Sequence, residues 1–173
     1  MSGYGSQVLR KIHIDPQTHR MDVIALENAL HEDKAMGRIP LMIFATAGTV
    51  DTGAIDDLEG IAALGKREGV WVHVDGAFGA LGVLSHTVKP LLRGISNVDS
   101  IALDFHKWGQ VPYSAGMIVV RNGQTLRQCF SSPANYLSRE KSGLMSGEWW
   151  PCKYWLFMYL LLVCGFVLSG SCF

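Results

Sequence analysis

The chain has 173 residues, 49% hydrophobic and 17% charged, which is the composition of a folded protein with enough material for one domain and a sizeable core. Fifteen basic residues balance fifteen acidic ones and no lysine/arginine block stands out, so the electrostatic footprint of a nucleic-acid binder is missing and that class is set aside. Cys129, Cys152, Cys164 and Cys172 show neither zinc-type pairing nor the density of a secreted disulfide scaffold, and the N-terminus lacks the parts of a signal peptide, so reduced thiols in a cytoplasmic chain are expected.

Val8 to Ile14 alternates enough for a strand, and Asp15-Pro16 punctuates it as a turn. A helix follows: Asp22 suits its N-cap, Val23, Leu26, Ala29 and Leu30 recur at helical spacing, and Gly37 and Pro40 mark its stop. Leu41 to Ala45 is a short, fully apolar strand that empties into Thr46-Ala47-Gly48-Thr49. The next helix, capped by Asp56 or Asp57, carries Leu58, Ile61, Ala62 and Leu64 on one face and stops near Gly69, where a strand from Val70 to Val74 begins. Apolar strands alternating with amphipathic helices make βαβ units, so the expected fold is α/β, a mostly parallel sheet flanked by helices and buried on both faces. Leu81 to Leu92 reads as mixed helix and loop, and Val98 to Leu103 and Gly116 to Val120 as strands. The connection between those two is too short for a crossover helix, which predicts an antiparallel pair. Gln124 to Phe130 suits a short helix, and Ser131 to Gly147 is polar and loop-like.

From Tyr154 to Phe173 no residue is charged, and Trp155 to Val163 is continuous apolar sequence. About twenty uncharged residues reach the length of a bilayer span. Gly165, Ser169, Gly170 and Ser171 count against one, so membrane contact through this tail is the lesser expectation.

The chemistry concentrates at two strand ends, where open α/β sheets bind their ligands. Trp71-Val72-His73-Val74-Asp75 delivers a carboxylate before the small pair Gly76-Ala77, which leaves room for a flat ring beside the backbone. Ser100 to Asp104 leads into Phe105-His106-Lys107-Trp108. A lysine and an aspartate so placed suit pyridoxal phosphate: the amine forms a Schiff base with the aldehyde, and the carboxylate keeps the pyridine nitrogen protonated. Phe105 and Trp108 are expected to strip water from the amine and favour its nucleophilic form. Taken singly, each residue has an ordinary fate: Lys107 on the surface, His106 satisfied in a core, Asp75 capping a helix.

Together, His73-Val74-Asp75-Gly76-Ala77-Phe78-Gly79 and Asp104-Phe105-His106-Lys107-Trp108 resemble the two signatures of the group II pyridoxal-phosphate-dependent amino-acid decarboxylases, members of the aspartate-aminotransferase fold type I. Ala45 to Thr49 and Gly53-Ala54-Ile55-Asp56 resemble the segment that precedes the aspartate in that family, in matching order. The resemblance implies pyridoxal 5'-phosphate as cofactor, with Lys107 as its Schiff-base lysine and Asp75 as partner of the pyridine nitrogen. It further places Ala77 on the ring face, His106 beside the Schiff base, Asp104 near the phosphate and Thr49 in the turn under the cofactor. Where many relatives have a second threonine this chain has Val50. Tyr136 resembles the mobile-loop tyrosine that returns a proton to the substrate after carbon dioxide leaves.

The resemblance thus implies a carboxy-lyase acting on a small-molecule amino acid, with an aminotransferase or other lyase of the same fold type as the alternative. A non-catalytic chain anchored by its tail is the reading from a different class. It covers residues 1–152 as part of a large, cofactor-binding domain and leaves 153–173 as an apolar tail that matches nothing in the family. Relatives begin earlier, with a phosphate loop and a residue stacked on the second ring face, and they assemble as homodimers. A truncated chain, holding its cofactor weakly, is therefore expected.

Overall fold

Asp22 starts the first helix by satisfying two donors that a helix N-terminus leaves orphaned, its Oδ1 accepting from the backbone N–H of Ile24 at 2.9 Å and of Ala25 at 3.0 Å. A computed structural model describes residues 8–130 of the chain, and in it this helix, α1, runs Val23–Ala35 and buries Leu26, Ala29 and Leu30. Strand β1 spans Met42–Thr46 and helix α2 spans Leu58–Glu68. Of the two candidate caps for α2, Asp57 takes the role, accepting from Gly60 N–H, and Gly69 ends the helix with φ +68°, a conformation that a glycine adopts without strain.

Asp56 does something else. It is buried, and its carboxylate accepts from Met21 N–H at 2.7 Å through Oδ1 and from Thr46 N–H at 2.8 Å through Oδ2. One side chain thereby pins the segment before α1 to the end of β1.

Strand β2 (Trp71–Asp75) begins one residue later than the pattern predicts. It is followed by three short 3-10 turns: Ala80–Leu84 and Lys89–Leu92 fall in the stretch read as mixed helix and loop, and Ile95–Asn97 lies beyond it. Strands β3 (Ser100–Asp104) and β4 (Gly116–Val120) and helix α3 (Gly123–Phe130) complete the described chain. The sheet order is β1-β2-β3-β4, with the first three strands parallel and β4 antiparallel to β3 as predicted.

Helix α2 packs on one face of the sheet, where Leu58, Ile61, Ala62 and Leu64 meet Ile43, Ala45, Val72 and Val74 in a single buried cluster that also takes Leu26 and Leu30 of α1. A side chain such as Ile61, wholly buried, contributes roughly 1.5–3 kcal/mol by leaving water. Gly65 makes the contact close, since a Cβ there would fall 2.2 Å from Val72 Cγ2.

Two expectations fail. The sheet is not buried on both faces among the described residues: Met42, Phe44 and Ile118 lie exposed on the face opposite α2. An unbroken apolar run predicts burial of both faces, whereas β1 alternates exposed and buried because helices cover only one side here. Nor is Val8 to Ile14 a strand; only Ile14 pairs, antiparallel with Met21. The Asp15 side chain closes a tight turn by accepting from Gln17 and Thr18 N–H, and Arg10 ties the segment to α1 through Glu32, Asp33 and the Ala29 carbonyl. Side-chain bonds to a helix replace the ladder that a strand needs. Among the described residues no helix is long and apolar enough to cross a membrane, and the 131–147 stretch and the apolar tail lie outside them.

Candidate active site

The parallel register sets Thr46 beside Asp75 and Asp75 beside Ala102, so β1 and β2 finish level at one end of the sheet and β3 finishes two residues further on, at Asp104. Backbone bonds then lock the loops that leave them. Gly76 N–H donates to the Ala102 carbonyl at 2.8 Å, Ala47 N–H to the Asp75 carbonyl at 2.8 Å, and Gly79 N–H to the Ala47 carbonyl at 2.9 Å. Gly76 must be small, because a Cβ would lie 2.5 Å from Ala80 Cβ and 3.0 Å from the Ala102 oxygen.

Asp75 is exposed at the end of β2, with Oδ1 accepting from Ala77 N–H at 3.1 Å. Ala77, expected at a ring face, is partly exposed immediately beyond it. On the same face of β2, Ser100 Oγ lies 2.8 Å from Trp71 Nε1 and 2.8 Å from His73 Nδ1. Trp71 can only donate to it. Burial holds the His73 imidazole below its ordinary value, and the nearby Asp75 carboxylate acts in the opposite sense.

After β3 the chain turns sharply, and Asp104, His106 and Lys107 converge. Lys107 Nζ sits 2.9 Å from Asp104 Oδ2 and 4.2 Å from the centroid of the Phe78 ring. His106 Nδ1 accepts from Ala115 N–H at 3.0 Å, while its Nε2 faces Asp104 Oδ2 at 3.6 Å. The Tyr113 ring packs on the imidazole with centroids 4.1 Å apart. Across the ladder Gly116 leaves space for the carboxylate, since a Cβ there would come within 3.1 Å of Asp104 Oδ1.

This geometry brings Asp104, His106 and Lys107 into one cluster and sets Asp75 and Ala77 on the adjacent strand end. It changes one detail. Trp108 does not shield the amine, being 70% exposed; Phe78, from the loop after β2, supplies the aromatic surface instead. Thr49 Oγ1 lies 2.6 Å from Thr52 Oγ1 and accepts from Ala54 N–H at 3.0 Å, so it shapes the turn after β1. Tyr136 lies outside the described residues. Phe78 had a signal in the sequence, as the aromatic next to Ala77. Ser100, Ala115 and Gly116 had none, because their roles depend on which strand lies opposite.

The side chains suit a cofactor that carries both an aldehyde and a ring nitrogen. A primary amine, one-quarter exposed, and an exposed carboxylate stand at the ends of adjacent parallel strands, with small residues between them. Among the described residues no cluster of histidine, cysteine and acidic side chains could hold a metal ion.

Comparison with known proteins agrees with this chemistry. A sequence model described as the pyridoxal-dependent decarboxylase conserved domain matches residues 2–149. An aromatic-L-amino-acid decarboxylase of Bacillus atrophaeus is 38% identical over 125 residues, covering 72% of this chain and 26% of the relative. The crystal structure of mouse CSAD in apo form superposes with a TM-score of 0.74 at 32% identity, over 80% of this chain and 29% of that one. The Oryza sativa TDC crystallised with PLP and tryptamine superposes with a TM-score of 0.75 at 27% identity, over 80% of this chain and 28% of that one. The chain thus spans about a quarter of the length of the relatives it matches.

Proposed function

The chain belongs to the pyridoxal-dependent decarboxylase family, and on that premise we propose that it carries the cofactor-anchoring part of an enzyme that removes the carboxyl group of an L-amino acid as carbon dioxide. The observation that carries this reading is the placement of Lys107 and Asp75 at the ends of neighbouring parallel strands, tied together by the Gly76 to Ala102 backbone bond. When bound, pyridoxal phosphate supplies an aldehyde that condenses with a primary amine and a ring that withdraws electrons from the carbon losing carbon dioxide.

The protein's own groups divide the remaining work. Lys107 Nζ is the amine that tethers the cofactor, and Asp75 offers a carboxylate to keep the pyridine nitrogen protonated. Ala77 leaves the ring face clear. His106 and Asp104 form the polar wall beside the amine, and Thr49 shapes the turn beneath. Tyr136 enters on resemblance alone, as the hydroxyl that returns a proton to the carbon after carbon dioxide leaves. A second copy of the chain, also implied by the resemblance, belongs to the same proposal.

The test is covalent trapping. The chain is incubated with pyridoxal phosphate, reduced with borohydride and mapped by peptide mass spectrometry. Label concentrated on Lys107, and lost in Lys107→Ala, is the expected outcome. Label spread evenly over the other lysines would remove the assignment. Carbon dioxide release from a panel of L-amino acids then separates decarboxylation from amino-group transfer.

A further inference from the structure

We propose that Asp104 changes partner, holding the Lys107 ammonium while that amine is free and the His106 Nε2–H once Lys107 is covalently engaged. The carboxylate stands between the two groups. Its Oδ2 is 2.9 Å from Lys107 Nζ and 3.6 Å from His106 Nε2.

The proton on His106 is placed by its other nitrogen. Ala115 N–H is a backbone donor and has no other role to play, so His106 Nδ1, which it reaches at 3.0 Å, must offer a lone pair. The neutral ring therefore carries its hydrogen on Nε2, the nitrogen that faces Asp104. The bond to Ala115 at the root of β4 and the Tyr113 ring packed at a tilt against the imidazole hold it in that orientation. At 3.6 Å the Nε2–H stops short of hydrogen-bond distance, so its donor capacity is unspent while Oδ2 serves the lysine. Gly116 bounds the other side, where any Cβ would crowd Asp104 Oδ1 at 3.1 Å.

Condensation of Lys107 with an aldehyde removes the first partner. The ammonium yields one proton to solvent, the nitrogen forms its double bond to the aldehyde carbon, and the oxygen departs as water with the two remaining hydrogens. Asp104, about three-quarters shielded from solvent, then needs a new donor, and His106 Nε2–H is closed upon by a shift of roughly half an ångström. With Nδ1 bound to the backbone and Nε2–H bound to Asp104, His106 has no free lone pair. It is a positioning residue for Asp104 and not a general base.

The inference rests on the proposed role of Lys107 only for what displaces the amine. Its test uses the full chain with 15N-labelled histidine, the His106 signals being identified by their absence in His106→Gln. In Lys107→Met, without any cofactor, the Nε2 proton is expected to move downfield and to exchange with water about tenfold more slowly than in wild type, the gain of one charge-assisted hydrogen bond. Adding Asp104→Ala should reverse both changes. Wild-type protein saturated with pyridoxal phosphate and left unreduced, because borohydride would return a protonatable amine to Lys107, should reproduce them, and this arm decides alone if Lys107→Met does not fold. A hydrogen on Nδ1, or an Nε2 proton that ignores removal of the lysine, overturns the proposal. A shift in Lys107→Met without trapping of wild type upholds the partner change and removes the cofactor role of Lys107.

Discussion

Gly79 lies against Ala47 with no room for a side chain: a Cβ on Gly79 would sit 2.4 Å from the Ala47 carbonyl oxygen that its own N–H already binds. The contact joins the loop after β2, which carries Phe78, to the turn after β1, which carries Thr49. Gly79→Ala should therefore destabilise the chain by about 1–3 kcal/mol, the usual cost of forced overpacking. Urea unfolding measures it, and a cost near zero would mean that the two loops separate freely.

Asp56 offers a sharper comparison. Asp56→Ala leaves Met21 N–H and Thr46 N–H without their acceptor and should cost about 2–4 kcal/mol, whereas Asp56→Asn keeps one carbonyl oxygen and should cost less. Equal losses for the two variants would show that charge, and not acceptance, is what this position requires.

Ser100 joins Trp71 and His73, and Ser100→Ala removes a partner from both, at an expected cost of about 1–3 kcal/mol with a change in tryptophan fluorescence. His73 adds a pH signature. Burial lowers its pKa from the ordinary 6.5, so below that pH the unfolded chain binds a proton that the folded chain refuses. Stability should fall as pH drops from 6.5 toward the folded value. His73→Gln should flatten that slope, as read from unfolding midpoints across the range.

Glu68 governs a more acidic window. Its carboxylate bonds Lys34 at 2.7 Å and Arg67 at 3.2 Å, which brings its pKa from 4.5 to about 2. Its share of stability is fully present above pH 4.5 and is lost as the pH falls toward 2. Glu68→Gln should flatten this limb, and high salt should shrink the difference between the two proteins.

The parts of the fold set by local periodicity were legible in the sequence. Leu26, Ala29 and Leu30 predicted the buried stripe of α1, and the short connection after β3 predicted the antiparallel return. Val8 to Ile14 was not legible, because the same alternation serves a strand or a segment held by side chains, and Arg10 decides for the second. In the site, Asp75 and Lys107 stood out through their motifs. The Phe78 contact, the Ala115 bond to His106 and the space left by Gly116 depend on neighbours that only the folded sheet supplies.

The antiparallel return also sets an order in time. Asp104 and Gly116 meet by closing a short loop, while Asp75 reaches Ala102 only after the chain has wound through three 3-10 turns. Loop closure favours the nearer contact. The lysine corner should thus acquire protection from hydrogen exchange during refolding before the β2–β3 ladder does, and Asp75 arrives at a corner that is already built.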